Sequence, residues 1–409
     1  MEPSRRARET QASPIRKLIP FADRAKSEGR EVLHLNIGQP DIETPPEALE
    51  ALRSYREKVL AYSPSDGYRS LKHRIVAYLG TCGMDLGPEE VNVTVGGSEA
   101  VLFALAAVTD PGDSVVIPEP FYANYKSFCA MLGVRVVPVT TSFENGFHLA
   151  DPAALEEKID GRTRAVLLCN PGNPTGTVYT EDEVRAVADI ALRRDLFIIS
   201  DEVYREFRFD RVPFFSPMHI PRAADRVIVT DSVSKRYSSC GARIGFVASK
   251  NREIMGAVLK FAMARLSPPS LEQVIAEREF SLDPAYFGPV IAEYQARRDI
   301  LYEELSAGGA LVPSRPEGAF YMMVKLQGLD SEDFARFLLT DFSLDGETVM
   351  VAPAPGFYAT GGLGSSEIRL AYVLNTDKTR RAARILREGA EAYRGALREG
   401  SGLLHTREP

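Results

Sequence analysis

A lysine and an arginine lie eight residues apart in a segment that is rich in serine and glycine. Lys235 and Arg243 both belong to the stretch DSVSKRYSSCGARIG, residues 231–245. An amine that condenses with a carbonyl must be uncharged, and a neighbouring cation favours that form. An arginine needs an anion to bind, and its guanidinium group matches a phosphate well. The two residues together therefore indicate a site for a phosphorylated aldehyde.

A second candidate phosphate site follows a short β-branched run. The stretch VNVTVGGSEA, residues 91–100, predicts a strand, a glycine-rich turn and a helix that starts near Glu99. Gly97 and Ser98 would lie at the helix N-terminus, where free N–H groups and the positive end of the dipole favour phosphate. A tight turn without any ligand has the same pattern, so both interpretations stay open.

Two further loops carry polar groups that suit a heterocyclic ring. The stretch NPGNPTG, residues 170–176, predicts a rigid loop because each proline disfavours helix at the residue before it. Asn173 in this loop can face a polar ring substituent. Asp201 follows a predicted strand and can keep a heterocyclic N–H protonated, while Tyr204 can donate another hydrogen bond. A plain turn and an isolated acidic cap are the alternatives.

These motifs require a scaffold that brings several strand ends together. Short apolar runs alternate with helical patterns between residues 90 and 250, and this order predicts a mostly parallel sheet between helix layers. Ligands bind at the carboxyl edge of such sheets, where the motifs would meet. The predicted strands are Val91–Val95, Ser114–Ile117, Val134–Val139, Ala165–Leu168, Phe197–Ser200, Val227–Thr230 and Ile244–Ala248.

The order of elements changes after residue 290 and predicts a smaller α+β domain. The expected fold class is therefore α/β, with a mostly parallel central sheet between helices and a smaller α+β domain. The expected division is a flexible tail (1–12), a segment packing with the small domain (13–48), a large domain (49–289), a small C-terminal domain (290–395) and a second flexible tail (396–409).

Composition excludes several classes of function. The chain has 409 residues and a net charge of −7, and its basic residues are scattered, which argues against a nucleic-acid surface. The four cysteines show no metal-binding or disulfide spacing, and no apolar run approaches the length of a membrane span. We therefore expect a cytoplasmic protein without a metal site, a nucleic-acid partner or a membrane partner.

Taken together, the motifs resemble the fold type I pyridoxal-phosphate enzymes in the class I/II aminotransferase branch. They occur in the family's order from residue 13 to about residue 395. The carriers are GQPD (38–41), Tyr62 with Gly67 and Leu71, TVGG (94–97), NPGNPTG (170–176), DEVY (201–204), SVSK (232–235), GARIG (241–245) and EIR (367–369). More narrowly, SPIRK (13–17), LNIGQPDIETP (35–45), PEPFYANY (118–125) and ARLSPP (264–269) are similar to a bacterial aspartate aminotransferase-like branch.

The resemblance implies a role for each matching residue. Lys235 would form the aldimine with pyridoxal 5′-phosphate (PLP) and carry protons, and Asp201 would pair with the pyridine nitrogen. Arg369 would hold the substrate α-carboxylate through two parallel hydrogen bonds, beside Gly38 and Asn173. The other cofactor residues would be Gly97, Ser98, Ser232 and Arg243 at the phosphate, Tyr122 on the ring face, Asn173 and Tyr204 at the phenolic oxygen, and Tyr62 from the second subunit of a homodimer.

Two reactions stay open on these residues, and a non-catalytic interaction protein on the same fold is a third interpretation. The first is amino transfer between an amino acid, with aspartate or glutamate expected, and a 2-oxo acid. The second is elimination, γ-replacement or carbon–carbon bond-forming annulation in a biosynthetic pathway, with S-adenosylmethionine as one conceivable substrate. Arg265 lies near the position of the arginine that binds the distal carboxylate in the family's dicarboxylate enzymes, although the spacing differs. A structural ion pair and a solvated helix residue are the alternatives for Arg265.

Overall fold

The computed structural model describes residues 2–11 and 16–399 and contains three β-sheets with surrounding helices. The strands are β1 (Glu31–His34), β2 (Val91–Thr94), β3 (Ser114–Glu119), β4 (Arg135–Thr140), β5 (Thr163–Cys169), β6 (Phe197–Asp201), β7 (Val227–Ser232), β8 (Gly245–Ala248), β9 (Leu311–Pro313), β10 (Tyr321–Leu326), β11 (Glu347–Met350), β12 (Ala352–Pro353) and β13 (Glu367–Ala371). The helices are α1 (Arg5–Glu9), α2 (Ile19–Ser27), α3 (Pro46–Arg53), α4 (Arg69–Thr81), α5 (Gly96–Val108), α6 (Asn124–Leu132), α7 (Pro152–Glu156), α8 (Glu181–Arg194), α9 (Val233–Arg236), α10 (Arg252–Arg265), α11 (Ser270–Glu279), α12 (Phe287–Ser306), α13 (Ser331–Thr340) and α14 (Thr376–Arg398).

The largest sheet has seven strands in the order β2-β8-β7-β6-β5-β3-β4. Strands β3 to β7 pair in parallel, whereas β8 runs antiparallel to both β2 and β7. The predicted α/β fold with a mostly parallel central sheet is therefore confirmed. All seven predicted strands are present in this sheet, with bounds that differ by a few residues.

Both faces of the large sheet are buried, which explains why its strands are apolar without polar alternation. Val115 and Ile117 of β3 pack on one face with helices α5, α6 and α10. Val116, which lies between them, packs on the other face with α4, α8 and α11. Successive side chains of a strand point to opposite faces, so a strand between two helix layers must be apolar throughout.

The C-terminal part forms a separate core around a four-stranded antiparallel sheet in the order β12-β13-β10-β9. Helices α12, α13 and α14 cover this sheet, and their apolar residues belong to one buried cluster. The N-terminal segment joins the same cluster through Leu18 and Leu33, and β1 pairs in parallel with β11. These contacts support the predicted packing of residues 13–48 on the small domain, and the division into domains stays a prediction.

Both chain ends were expected to form tails. Within residues 1–12 the structure contains the short helix α1, none of whose residues is buried. Helix α14 extends to Arg398, three residues into the second expected tail. Residues 1, 12–15 and 400–409 lie outside the described part of the chain, and most of the second tail and the start of the SPIRK motif fall there.

Candidate active site

A cavity of about 690 Å³ opens at the carboxyl edge of the large sheet. Asp201 ends β6 and Ser232 ends β7. Because these two strands are parallel neighbours, both polar residues lie at the same edge of the sheet. The cavity is lined by eleven of the thirteen site residues predicted from the sequence: Gly38, Gly97, Ser98, Tyr122, Asn173, Asp201, Tyr204, Ser232, Lys235, Arg243 and Arg369. Tyr62 and Arg265 are outside that lining.

One end of the cavity has the features of an anion site. Helix α5 begins at Gly96, three residues earlier than the predicted start near Glu99, which corrects that prediction. Gly96 has a φ of +76°, a backbone conformation that favours glycine, and a Cβ atom there would lie 2.4 Å from Nη2 of Arg243. The N–H groups of the first helical turn and the guanidinium of Arg243 thus share one corner with Ser232.

Lys235 extends into the cavity from the short helix α9. Its Nζ atom donates a hydrogen bond to the Gly38 carbonyl at 2.7 Å and lies 3.7 Å from Sγ of Cys240. Cys240 in turn donates to the Ser234 carbonyl at 3.1 Å. The Gly38 carbonyl therefore holds the amine in place.

Asp201 is a buried carboxylate that lacks a cationic partner among the described residues. The hydroxyl of Tyr125 donates to its Oδ2 atom at 2.6 Å, and the Val203 N–H approaches Oδ1 at 3.4 Å. Burial raises the pKa of Asp201 to about 7, although the Tyr125 hydrogen bond acts in the opposite direction. A ligand with a protonated ring nitrogen would supply the missing positive charge.

Arg369 is the corresponding unpaired cation. It lies on β13 with 1% of its surface exposed, and no carboxylate of the described residues is within ion-pair distance. Its Nη1 donates to Oδ1 of Asn173 at 3.1 Å, its Nη2 donates to the Asn36 carbonyl, and burial lowers its pKa. The guanidinium also lies 4.5 Å from the ring centroid of Tyr321. A buried guanidinium of this kind binds a carboxylate strongly.

Tyrosines line the space between these charged groups. The Tyr204 hydroxyl lies 2.8 Å from that of Tyr321, and the Asn124 amide donates to the Tyr122 hydroxyl at 2.8 Å. Burial raises the pKa of Tyr122 to about 12, so its hydroxyl stays protonated at neutral pH. A Cβ atom on Gly38 would lie 1.9 Å from the Tyr321 hydroxyl, so this close approach requires glycine at position 38.

Sequence reasoning assigned no role to Tyr125 or Tyr321, although both line the cavity. Tyr125 belongs to the PEPFYANY motif, and Tyr321 begins β10. Neither tyrosine lies in a local pattern that indicates chemistry. Their importance arises from contacts with Asp201 and Tyr204, which are 76 and 117 residues away in the chain.

Two of the predicted site residues lie outside the cavity lining. Tyr62 is 82% exposed. Arg265 is half-buried, with Nε 3.4 Å from Oε1 of Glu99 and Nη2 3.3 Å from the Val93 carbonyl. Within one chain, Arg265 therefore forms the structural ion pair that was the alternative to substrate binding.

No metal-ligand cluster of three or more side chains occurs among residues 2–11 and 16–399. In the same part of the chain, each helix is too short or too polar to cross a lipid bilayer.

Comparison with known proteins agrees with this arrangement. The family model described as aminotransferase class I and II matches residues 30–386. An arginine–pyruvate transaminase of Pseudomonas aeruginosa is 33% identical over 87% of this chain and 89% of its own length. An aspartate aminotransferase of Pyrococcus abyssi is 30% identical over 92% of this chain and 96% of its own length.

Solved structures show the same relationship. The aspartate aminotransferase of Thermus thermophilus with maleate superimposes with a TM-score of 0.86 at 28% identity, covering 95% of this chain and all of that one. The family match spans most of the chain, and family members depend on PLP. The chain therefore belongs to the class I and II aminotransferases and is an aminotransferase of the fold type I architecture.

Proposed function

We propose that the protein transfers the amino group of aspartate or glutamate to a 2-oxo acid such as 2-oxoglutarate, with PLP bound in the 690 Å³ cavity. The observation that carries this proposal is the arrangement of complementary charges in the cavity. Arg243 lies at the helix N-terminus, and within the described part of the chain the buried Asp201 has no cationic partner and the buried Arg369 has no anionic one. Lys235 lies in the same cavity.

The residues of the cavity fit PLP group by group. Gly97, Ser98, Ser232 and Arg243 supply donors for a phosphate, and Asp201 supplies the negative charge that a protonated ring nitrogen needs. Asn173 and Tyr204 supply polar groups for the phenolic oxygen, and Tyr122 supplies an aromatic face. When bound, PLP would act as the electron sink for negative charge at the substrate Cα.

The remaining steps belong to the chain's own groups. Arg369 would hold the substrate α-carboxylate with two parallel hydrogen bonds and so orient the Cα–H bond. Lys235 Nζ would accept the Cα proton and deliver it to the cofactor carbon, because its amine is the basic group that the Gly38 carbonyl holds at this point of the cavity. Asp201 would keep the ring nitrogen protonated throughout.

We also propose a homodimer with shared sites in the cytoplasm. Val59, Leu60 and Tyr62 are large apolar residues that are exposed within four positions of the chain, and the Ser270 hydroxyl donates to the Ala61 carbonyl between them at 3.0 Å. An exposed apolar segment of this kind is typical of an interface. The four cysteines are free thiols, which agrees with a reducing compartment.

Substitution of the lysine tests the proposal. We expect Lys235→Ala to lower amino transfer from aspartate or glutamate to 2-oxoglutarate by about 1000-fold or more, because the proton carrier is lost. The exposed Lys158→Ala is the matched control and should retain the wild-type rate. Chromatography and mass spectrometry would identify the product. A Lys235→Ala protein that still transfers the amino group, or a wild type that releases a side-chain leaving group instead, would overturn the proposal.

A further inference from the structure

Each charged group that lines the cavity, except one, has an assigned partner in the proposed reaction. The cations are Arg16, Lys235, Arg243 and Arg369, and Asp201 is the carboxylate. Arg243 faces the phosphate, Arg369 faces the α-carboxylate, Lys235 is the amine, and Asp201 faces the ring nitrogen. Arg16 is therefore a positive charge in excess of what PLP and a monocarboxylic amino acid require.

Arg16 has no carboxylate within ion-pair distance among the described residues, although its neighbour does. Lys17 forms an ion pair with Glu332 on α13. The Arg16 carbonyl accepts a hydrogen bond from the Ile19 N–H at 3.0 Å, which fixes its backbone just before α2. The Arg16 side chain is exposed, and Arg16 lines the cavity together with Ile37 and Gly38. Arg16 is thus a cation at the cavity that no carboxylate of the described residues neutralises.

Arg265, the residue that the sequence indicated for this role, is engaged elsewhere within its own chain. It pairs with Glu99 and contacts the backbone carbonyls of Ser65 and Val93. Glu99 itself accepts a hydrogen bond from the Val95 N–H at 2.7 Å and so belongs to the start of α5. Removing Arg265 from this ion pair would leave Glu99 unpaired in a half-buried position.

We infer that Arg16 binds the second carboxylate of a dicarboxylic substrate, an inference that rests on the proposed function. A guanidinium group binds a carboxylate through two parallel hydrogen bonds, and the excess positive charge of the cavity adds to this attraction. The same charge repels a substrate with a cationic side chain. Arg16 thereby selects aspartate-like substrates over alanine-like and arginine-like ones.

Binding of two unreactive ligands tests the inference without turnover. Succinate and butyrate have the same number of carbons and differ in the second carboxylate. Titration calorimetry on the PLP-loaded enzyme would compare the wild type, Arg16→Gln and the adjacent Lys17→Gln. We expect Arg16→Gln to weaken succinate binding by about 10- to 100-fold, since a hydrogen bond to a charged group is lost, and to leave butyrate binding unchanged. Lys17→Gln should leave the affinities for succinate and butyrate unchanged.

The outcomes separate this inference from the proposed function. Equal weakening of both ligands, unchanged succinate binding in Arg16→Gln, or no wild-type preference for succinate would each overturn the role of Arg16. Amino transfer from aspartate is measured on the same wild-type sample. If the wild type transfers the amino group but Arg16→Gln does not selectively weaken succinate binding, only the Arg16 inference fails. If transfer from aspartate and glutamate is absent, the proposed function fails together with it.

Discussion

At the scale of single residues, Asp201 shows how the fold prepares a group for a ligand. Its carboxylate is buried at the end of β6, and hydrogen bonds from Tyr125 and Val203 compensate its charge only in part. Burial therefore raises the pKa of Asp201 to about 7 from an ordinary value of 3.8. A group whose pKa is raised in the folded state binds more protons when folded, so it destabilises the fold as pH rises from 4 to 7.

Replacement of Asp201 by asparagine should remove this destabilisation of the fold. In PLP-free protein, we expect Asp201→Asn to be more stable than the wild type by about 2 to 4 kcal/mol at pH 8, because the neutral amide carries no buried charge. The difference should shrink toward pH 4, where the wild-type carboxyl is protonated. Denaturant unfolding at several pH values measures this difference in the free energy of unfolding. A difference independent of pH would contradict the argument.

The same variant should respond in the opposite direction when PLP is present. If the ring nitrogen pairs with Asp201, the cofactor stabilises the wild type and lowers the pKa of Asp201. We expect PLP to raise the unfolding midpoint of Asp201→Asn less than that of the wild type, and the variant to lose most of its transfer rate. A normal rate in Asp201→Asn would show that this pairing is wrongly assigned.

At the scale of elements, the sequence predicted the large sheet well because its strands are apolar on both faces. Runs such as Val227–Thr230 have no other plausible place than a buried strand, and polar residues at their ends indicate the ligand edge. The short strands β9, β11 and β12 were not predicted, since two to four residues carry no recognisable period. The contacts of Tyr125 and Tyr321 depend on distant segments and leave no local signal.

One interaction between elements involves a histidine without a predicted role. His148 lies with Nδ1 3.0 Å from Oε2 of Glu183, in the first turn of α8, and with Nε2 3.3 Å from Oε2 of Glu317. The hydrogen bond with Glu183, followed by that with Glu317, raises the pKa of His148 to about 10. Protonated His148 therefore joins the start of α8 to the segment that precedes β10.

The contribution of His148 should depend on pH in a predictable direction. A histidine with a raised pKa gives its full stabilisation below its unfolded value of 6.5 and loses it as pH rises toward 10. We expect His148→Gln to lower the free energy of unfolding by about 1 kcal/mol at pH 6, since the group is partly exposed. The loss should diminish by pH 10. The exposed His73→Gln serves as the control, and a loss that does not change with pH would contradict the ion pair.

At the scale of the whole molecule, the position of Tyr62 bears on how many chains form one site. Tyr62 is 82% exposed and outside the lining of its own cavity, and it belongs to the exposed apolar segment that we propose as part of the dimer interface. If it contacts the phosphate, it must do so in the cavity of a second copy. A site shared in this way needs residues from both protomers, so defects in different protomers can complement each other.

Mixed dimers provide the test. A dimer of one Lys235→Ala protomer and one Tyr62→Ala protomer would contain one intact site, built from the lysine of the second and the tyrosine of the first. With random pairing, half of the dimers are mixed, and we expect about a quarter of the wild-type sites to be restored. Co-expression with two affinity tags isolates the mixed species, and each homodimer gives its baseline. If Tyr62 acted within its own chain, every site would carry one defect, and the mixed species would show no activity above the homodimers.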